Sequence, residues 1–122
     1  MPQSEARRVD KPWGYELIWA RTDKYTGKIL HINKGESLSL QYHRRKDETL
    51  YLLNGRVRLT LEKNSDRRSL EMKVGEAFHI PPHLIHRMEA LEDSDLLEAS
   101  THELNDVVRL EDDFGRKGTS AP

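Results

Sequence analysis

Four residues concentrate the interest, each of a type that coordinates metal ions. Gln41 and His43 stand two apart, Glu48 follows in the next segment, and His86 comes much later, after Pro81. A neutral imidazole, a carboxylate and an amide oxygen can together hold a borderline divalent ion such as zinc, manganese, iron(II), cobalt or nickel. Three or four such ligands leave a position for water or substrate. The chain has no cysteine, so thiolate ligands and disulfides are excluded and any metal must rest on nitrogen and oxygen. Spacing alone is a weak signal: a single histidine is more often hydrogen-bonded or at the surface, and a single glutamate is more often a solvated charge.

Other side chains could serve a ligand near such a site. Arg44, Arg45, Lys46, Arg109 and Arg116 are cations that can take an anion, arginine bidentately. His79, two positions before Pro81, either faces the same cavity as His86 or lies on its rim. His83 falls in a turn, and His31 and His102 have no partner pattern. Trp13, Trp19, Tyr15 and Tyr51 read as core or subunit-contact aromatics, with Trp13 also able to wall a cavity.

These residues must be positioned by strands. Short β-type runs at 15–20, 29–32, 37–42, 49–53, 57–61, 69–74 and 77–80, with two more at 84–91 and 96–100, are punctuated by turn residues. That rhythm predicts a sandwich or closed barrel rather than alternating helices and strands. Asn54-Gly55 predicts a hairpin, because both positions of such a turn favour positive φ, and Asn64-Ser65-Asp66 predicts a second turn. Side chains two apart share a strand face. Ser37, Ser39, Gln41 and His43 therefore look one way, while Leu38, Leu40 and Tyr42 look the other. Together with Tyr51 and Leu53, this second set is expected to be an outward apolar face for a second sheet or subunit, and a homodimer is expected.

Length and composition bound the rest. A chain of 122 residues makes one domain, expected to span 11–116 with tails at 1–10 and 117–122. Its 20 basic and 21 acidic residues nearly cancel, and no basic run is interleaved with aromatics, so neither nucleic acid nor a membrane is expected as a partner. The polar start lacks the apolar run of a signal peptide, and no stretch approaches the roughly 18 to 20 apolar residues of a membrane span. The expected location is the cytoplasm.

Taken in order, Gly35, His43, Glu48 and Gly55, then Gly75, Pro81 and His86, resemble the two-motif pattern of the cupin superfamily. The resemblance implies an all-β double-stranded β-helix, a jelly-roll barrel. A narrower likeness rests on Lys11-Pro12-Trp13-Gly14, on Leu38 through His43 and on Glu111 through Arg116, which are similar to the C-terminal cupin region of type II mannose-6-phosphate isomerases. It implies that Gln41, His43, Glu48 and His86 hold one divalent metal, zinc foremost. Two departures stand out: the family's run of three histidines is here His43-Arg44-Arg45, and the glycine of its second motif is His83.

The activity so implied is a metal-dependent aldose-ketose isomerisation of mannose 6-phosphate or a related phosphosugar. The base is then unassigned, with His79 or a metal-bound hydroxide as candidates. Arg109 and Arg116 would hold phosphate or stabilise the enediolate, and Arg45 and Lys46 would bind substrate. Two other classes fit the same fold: a metal-dependent oxygenase or lyase acting on a small carboxylate, and a non-catalytic sugar-binding module.

Overall fold

The computed structural model describes residue 3, residues 5–103 and 105–114, and the backbone of 118–120. It is all β, with no helix among the described residues and hence none long and apolar enough to cross a membrane. Twelve strands follow in order: β1 Arg7–Lys11, β2 Gly14–Arg21, β3 Tyr25–Ile32, β4 Leu40–Tyr42, β5 Glu48–Asn54, β6 Val57–Lys63, β7 Asp66–Met72, β8 Ala77–Ile80, β9 Ile85–Ala90, β10 Ser94–Thr101, β11 Val107–Glu111 and β12 Gly118–Ser120. They form two antiparallel six-stranded sheets, ordered β1-β2-β3-β10-β5-β8 and β12-β11-β4-β9-β6-β7. This is the expected jelly-roll. Its pairing runs past both expected tail boundaries, since Arg7–Lys11 pairs with β2 and Gly118–Ser120 with β11.

The inward faces change character along the strands, and this positions the site. On β3, Leu30 and Ile32 are buried apolar residues, whereas Thr26 and Lys28 are buried polar ones. On β10, Leu96 lies opposite Leu30, Glu98 opposite Lys28 and Ser100 opposite Thr26. On β5, Leu52 meets Leu96, Leu50 meets Glu98, and Glu48 meets Ser100. In the facing sheet, Val57 and Leu59 of β6 pair with Ala90 and Met88 of β9, while Leu61 pairs with His86. One level of the barrel is therefore packed with Ile32, Leu50, Leu52, Val57, Leu59, Met72, Ile80 and Leu96, and the other level is polar. Burying a large aliphatic side chain contributes about 1.5–3 kcal/mol, so the apolar level is what lets the other level carry charges.

Two sequence expectations are corrected. Asn54-Gly55 is not a hairpin: β5 and β6 belong to different sheets, and the pair turns the chain from one sheet to the other. Only Gly55 takes positive φ there, at 90°, and Asn54 instead donates its side-chain amide to Asp95. The tight hairpin is at Asn64 and Ser65, both with positive φ (53° and 64°), which join Lys63 to Asp66 across β6 and β7. Nor is there a single outward apolar face. Leu40 is buried and Leu38 packs against the core, while Tyr51 and Leu53 are exposed on the other sheet.

Gly55 is fixed by space as well as by φ. A Cβ there would lie 2.2 Å from Ser94 Oγ and 2.5 Å from the Asp93 carbonyl oxygen. Strain of this kind costs on the order of 1–3 kcal/mol. Gly55→Ala is expected to destabilise the protein by at least that much in urea unfolding, with the denaturant slope unchanged.

Candidate metal centre

His43 and Glu48 flank the link from β4 to β5, and His86 lies on β9, opposite Gln41 in the β4-β9 pairing. The structure brings His43, Glu48 and His86 together, all buried, with one potential ligand atom from each within 4.8 Å of the others. His43 Nδ1–H donates to the Asp106 carbonyl at 2.6 Å, and His86 Nδ1–H donates to the Leu84 carbonyl at 2.9 Å. Carbonyls only accept, so both rings carry their proton on Nδ1 and turn the Nε2 lone pair inward. Those two Nε2 atoms are buried with no hydrogen-bond partner among the described residues. Glu48 Oε1 lies 3.5 Å from the first and 3.2 Å from the second. Three electron-rich atoms converging out of reach of water call for a cation between them. Backbone carbonyls that fix the imidazole tautomer are the usual support of a metal-binding histidine. The residues present thus fit a divalent ion.

Glu48 is ionised despite its burial. Burial pushes its pKa up, but the Lys46 ammonium beside it outweighs this and holds it well below the ordinary carboxylate range. Lys46 Nζ lies 3.2 Å from Glu48 Oε2 and 3.0 Å from Glu98 Oε2. Burial alone would strip its charge, but the two carboxylates keep it firmly protonated. Glu98 is also held by Ser100 Oγ–H at 2.9 Å.

Asp106 fastens the loop carrying His43 through three backbone donors. Asp106 Oδ1 accepts from the Arg44 N–H at 3.0 Å, and its Oδ2 accepts from those of Arg45 and Lys46 at 2.6 and 2.8 Å. Partial burial raises the Asp106 pKa, but these three donors outweigh it and lower the net value. The same residue supplies the carbonyl that orients His43. On the far side of the centre, the His83 N–H donates to the His43 carbonyl at 2.7 Å, and His83 does adopt positive φ, 72°, in the place of the family's glycine.

The remaining expected residues divide. Gln41 lines the cavity beside the three ligands, its amide oxygen accepting from Ser39 Oγ–H at 2.6 Å. Arg109, opposite Gln41 in the β11-β4 pairing, is buried and lines the same cavity, as does Lys46. His79 does not. It shares its register with Thr49 on the outer face of β8, is largely exposed, and pairs with Asp47 at 2.5 Å, so this candidate proton carrier is on the wrong side of the sheet. Arg45 also points away, its side chain 77% exposed and 3.8 Å from Glu103. Arg116 lies outside the described residues. Sequence reasoning missed Glu16, Lys28, Glu98 and Ser100, all buried and all lining the cavity. Strand parity could have found them, because Lys28 shares its face with Leu30 and Ile32, and Glu98 with Leu96.

Comparison with known proteins agrees with this fold. The model of the family described as "Cupin domain" matches residues 28–98. The chain is 33% identical over 116 residues to the mannose-1-phosphate guanylyltransferase ManC of Salmonella typhimurium and 32% identical to the mannose-1-phosphate guanylyltransferase of Escherichia coli. Each match covers 90% of this chain and 23% of the relative, so the chain spans about a quarter of the length of these relatives. Among solved structures, KdgF from Halomonas sp. superposes with a TM-score of 0.65 at 25% identity, covering 82% of this chain and 87% of that one. The oxalate decarboxylase of Bacillus subtilis has a TM-score of 0.76 at 17% identity, covering 87% of this chain and 30% of that one, a likeness of fold.

Zinc titration by calorimetry tests the centre. His43→Ala and His86→Ala are each expected to weaken binding at least a hundredfold, and Asp106→Ala about tenfold, in line with the usual effect of losing a ligand's support. His31→Ala is expected to bind like wild type, since His31 is engaged with Asp95 and stacked on Tyr15.

Proposed function

The chain belongs to the cupin family, and from that premise we propose that it is a metal-dependent aldose-ketose isomerase acting on mannose 6-phosphate or a close relative. The observation that carries this reading is the convergence of His43, Glu48 and His86 at a cavity that His43 and Glu48 line together with the cations Arg109 and Lys46. The relatives named for mannose 1-phosphate support a sugar phosphate as the substrate class. Zinc is the foremost ion, with manganese, iron, cobalt or nickel as the alternatives, held by His43, Glu48 and His86 with Gln41 as a fourth, weaker ligand. When bound, such an ion polarises the carbonyl and hydroxyl oxygens of the substrate.

The side chains do the rest. Arg109 offers a planar fork of donors, suited to phosphate or to the oxyanion that develops when a proton leaves the carbon beside the carbonyl. Lys46, kept charged between Glu48 and Glu98, can donate to a substrate oxygen. With His79 outside, the proton has to be moved by a group inside the cavity. We also propose that the protein works in the cytoplasm as a homodimer. Trp19, Tyr25, Tyr51 and Leu53, all exposed, belong to strands of the β1-to-β8 sheet, which offers a second copy an apolar surface.

A second reading, a metal-dependent oxygenase or lyase acting on a small carboxylate, is favoured by size. The cavity as it stands is about 50 Å³, room for a few waters, so a hexose phosphate would insert only its reacting end.

Zinc-loaded protein is expected to interconvert mannose 6-phosphate and fructose 6-phosphate, and Arg109→Met to lower kcat/KM about 10²-fold, the usual loss on removing an oxyanion donor. Absence of isomerisation together with turnover of oxalate would transfer the assignment to the second reading. Binding of hexose phosphate without turnover would make the chain a sugar-binding module.

A further inference from the structure

A second buried ion pair faces the cavity, and neither the metal centre nor the proposed chemistry uses it. Lys28 on β3 is 3% exposed and Glu16 on β2 is 8% exposed, with Lys28 Nζ 3.3 Å from Glu16 Oε2. Both line the cavity that also holds Gln41, His43, Glu48 and Arg109. An ammonium has three donors and a carboxylate has about four acceptor sites. Among the described residues, one donor of Lys28 meets one oxygen of Glu16, at a long distance for a charge-assisted bond. The pair is thus held but far from saturated, in contrast to Lys46, which is gripped by two carboxylates.

Stability does not explain the pair. A buried ion pair contributes little or nothing relative to apolar residues of the same size, and apolar neighbours are at hand in Leu30 and Trp13. Its net charge is zero, so it is not an anion trap. What it presents to a ligand is an unused donor beside an unused acceptor, and the group that matches both is a hydroxyl, or two adjacent hydroxyls. We infer that Lys28 and Glu16 form a hydroxyl-binding subsite, which anchors hydroxyls of the inserted end of the substrate and selects hydroxylated ligands over bare anions. The inference rests on the sugar-phosphate reading above and adds to it the residues that would recognise the sugar.

The test uses Lys28→Met/Glu16→Gln, which removes both charges together and so leaves neither buried unpaired, compared with wild type. Zinc, mannose 6-phosphate and inorganic phosphate are titrated by calorimetry into each protein, the latter two with zinc loaded. The expected result is a Kd for mannose 6-phosphate at least tenfold higher in the double variant, with zinc and inorganic phosphate affinities within twofold of wild type and the thermal midpoint maintained. Unchanged zinc affinity shows that the barrel and its centre have survived the substitutions. If the double variant binds mannose 6-phosphate within twofold of wild type, the subsite is overturned and the sugar-phosphate reading stands. If wild type binds zinc but no mannose 6-phosphate, that reading falls and the subsite falls with it. Should the double variant fail to fold, Lys28→Arg decides. Its bulkier guanidinium keeps the charge for Glu16 but displaces the donor, so a tenfold loss for mannose 6-phosphate alone supports the subsite and an unchanged affinity overturns it.

Discussion

Glu48 is a carboxylate 4% exposed inside a protein barrel, and the polar end of the molecule is arranged around keeping it charged. Taking a carboxylate out of water costs several kcal/mol even after the surroundings relax. Lys46 supplies the compensating charge, and Glu98 balances the second half of that ammonium. Ser100 then satisfies Glu98. One buried ligand thus commits three further residues on β10 and on the link into β5. Buried networks of this kind are tolerated only when their members are paired.

The two histidines meet a different requirement. Their rings must present lone pairs rather than protons to Glu48, and they do so because backbone carbonyls at Leu84 and Asp106 take the Nδ1 protons. Neither carbonyl belongs to the strand ladder around Glu48, so the centre is assembled from the link into β5, from β9 and from the approach to β11. Only a closed two-sheet barrel brings these together, and its apolar level, from Ile32 to Leu96, holds the strands in register while the other level carries charge. Function here is confined to one end of the barrel because stability is supplied by the other.

Much of this was legible in the sequence. Strand alternation placed Gln41 and His43 on one face, and the order of glycines, histidines, Glu48 and Pro81 carried the fold. Spacing alone could not bring His86 to Gln41, because that contact depends on pairing between strands far apart in the chain. The same ignorance of pairing misread Asn54-Gly55 as a hairpin and set His79 toward the cavity, although its neighbour Ile80 is the residue that faces inward opposite Glu48. The buried charges Glu16, Lys28 and Glu98 do not stand out in the sequence, because charged residues are usually at the surface. Their shared parity with Leu30 and Leu96 was the available sign that they are not. The edge strand β1 escaped because Val9 is its one apolar side chain among four charged ones.

The central claim is that the lone pairs of His43 and His86 and the carboxylate of Glu48 exist to hold a metal ion. Elemental analysis of the protein purified with neither added metal nor chelator tests it most directly. The account predicts about one equivalent of a divalent first-row metal per chain, lost on chelation and regained on adding zinc, with thermal stability following the metal. Protein that is metal-free as purified, and that takes up none of these ions when they are supplied, would contradict it.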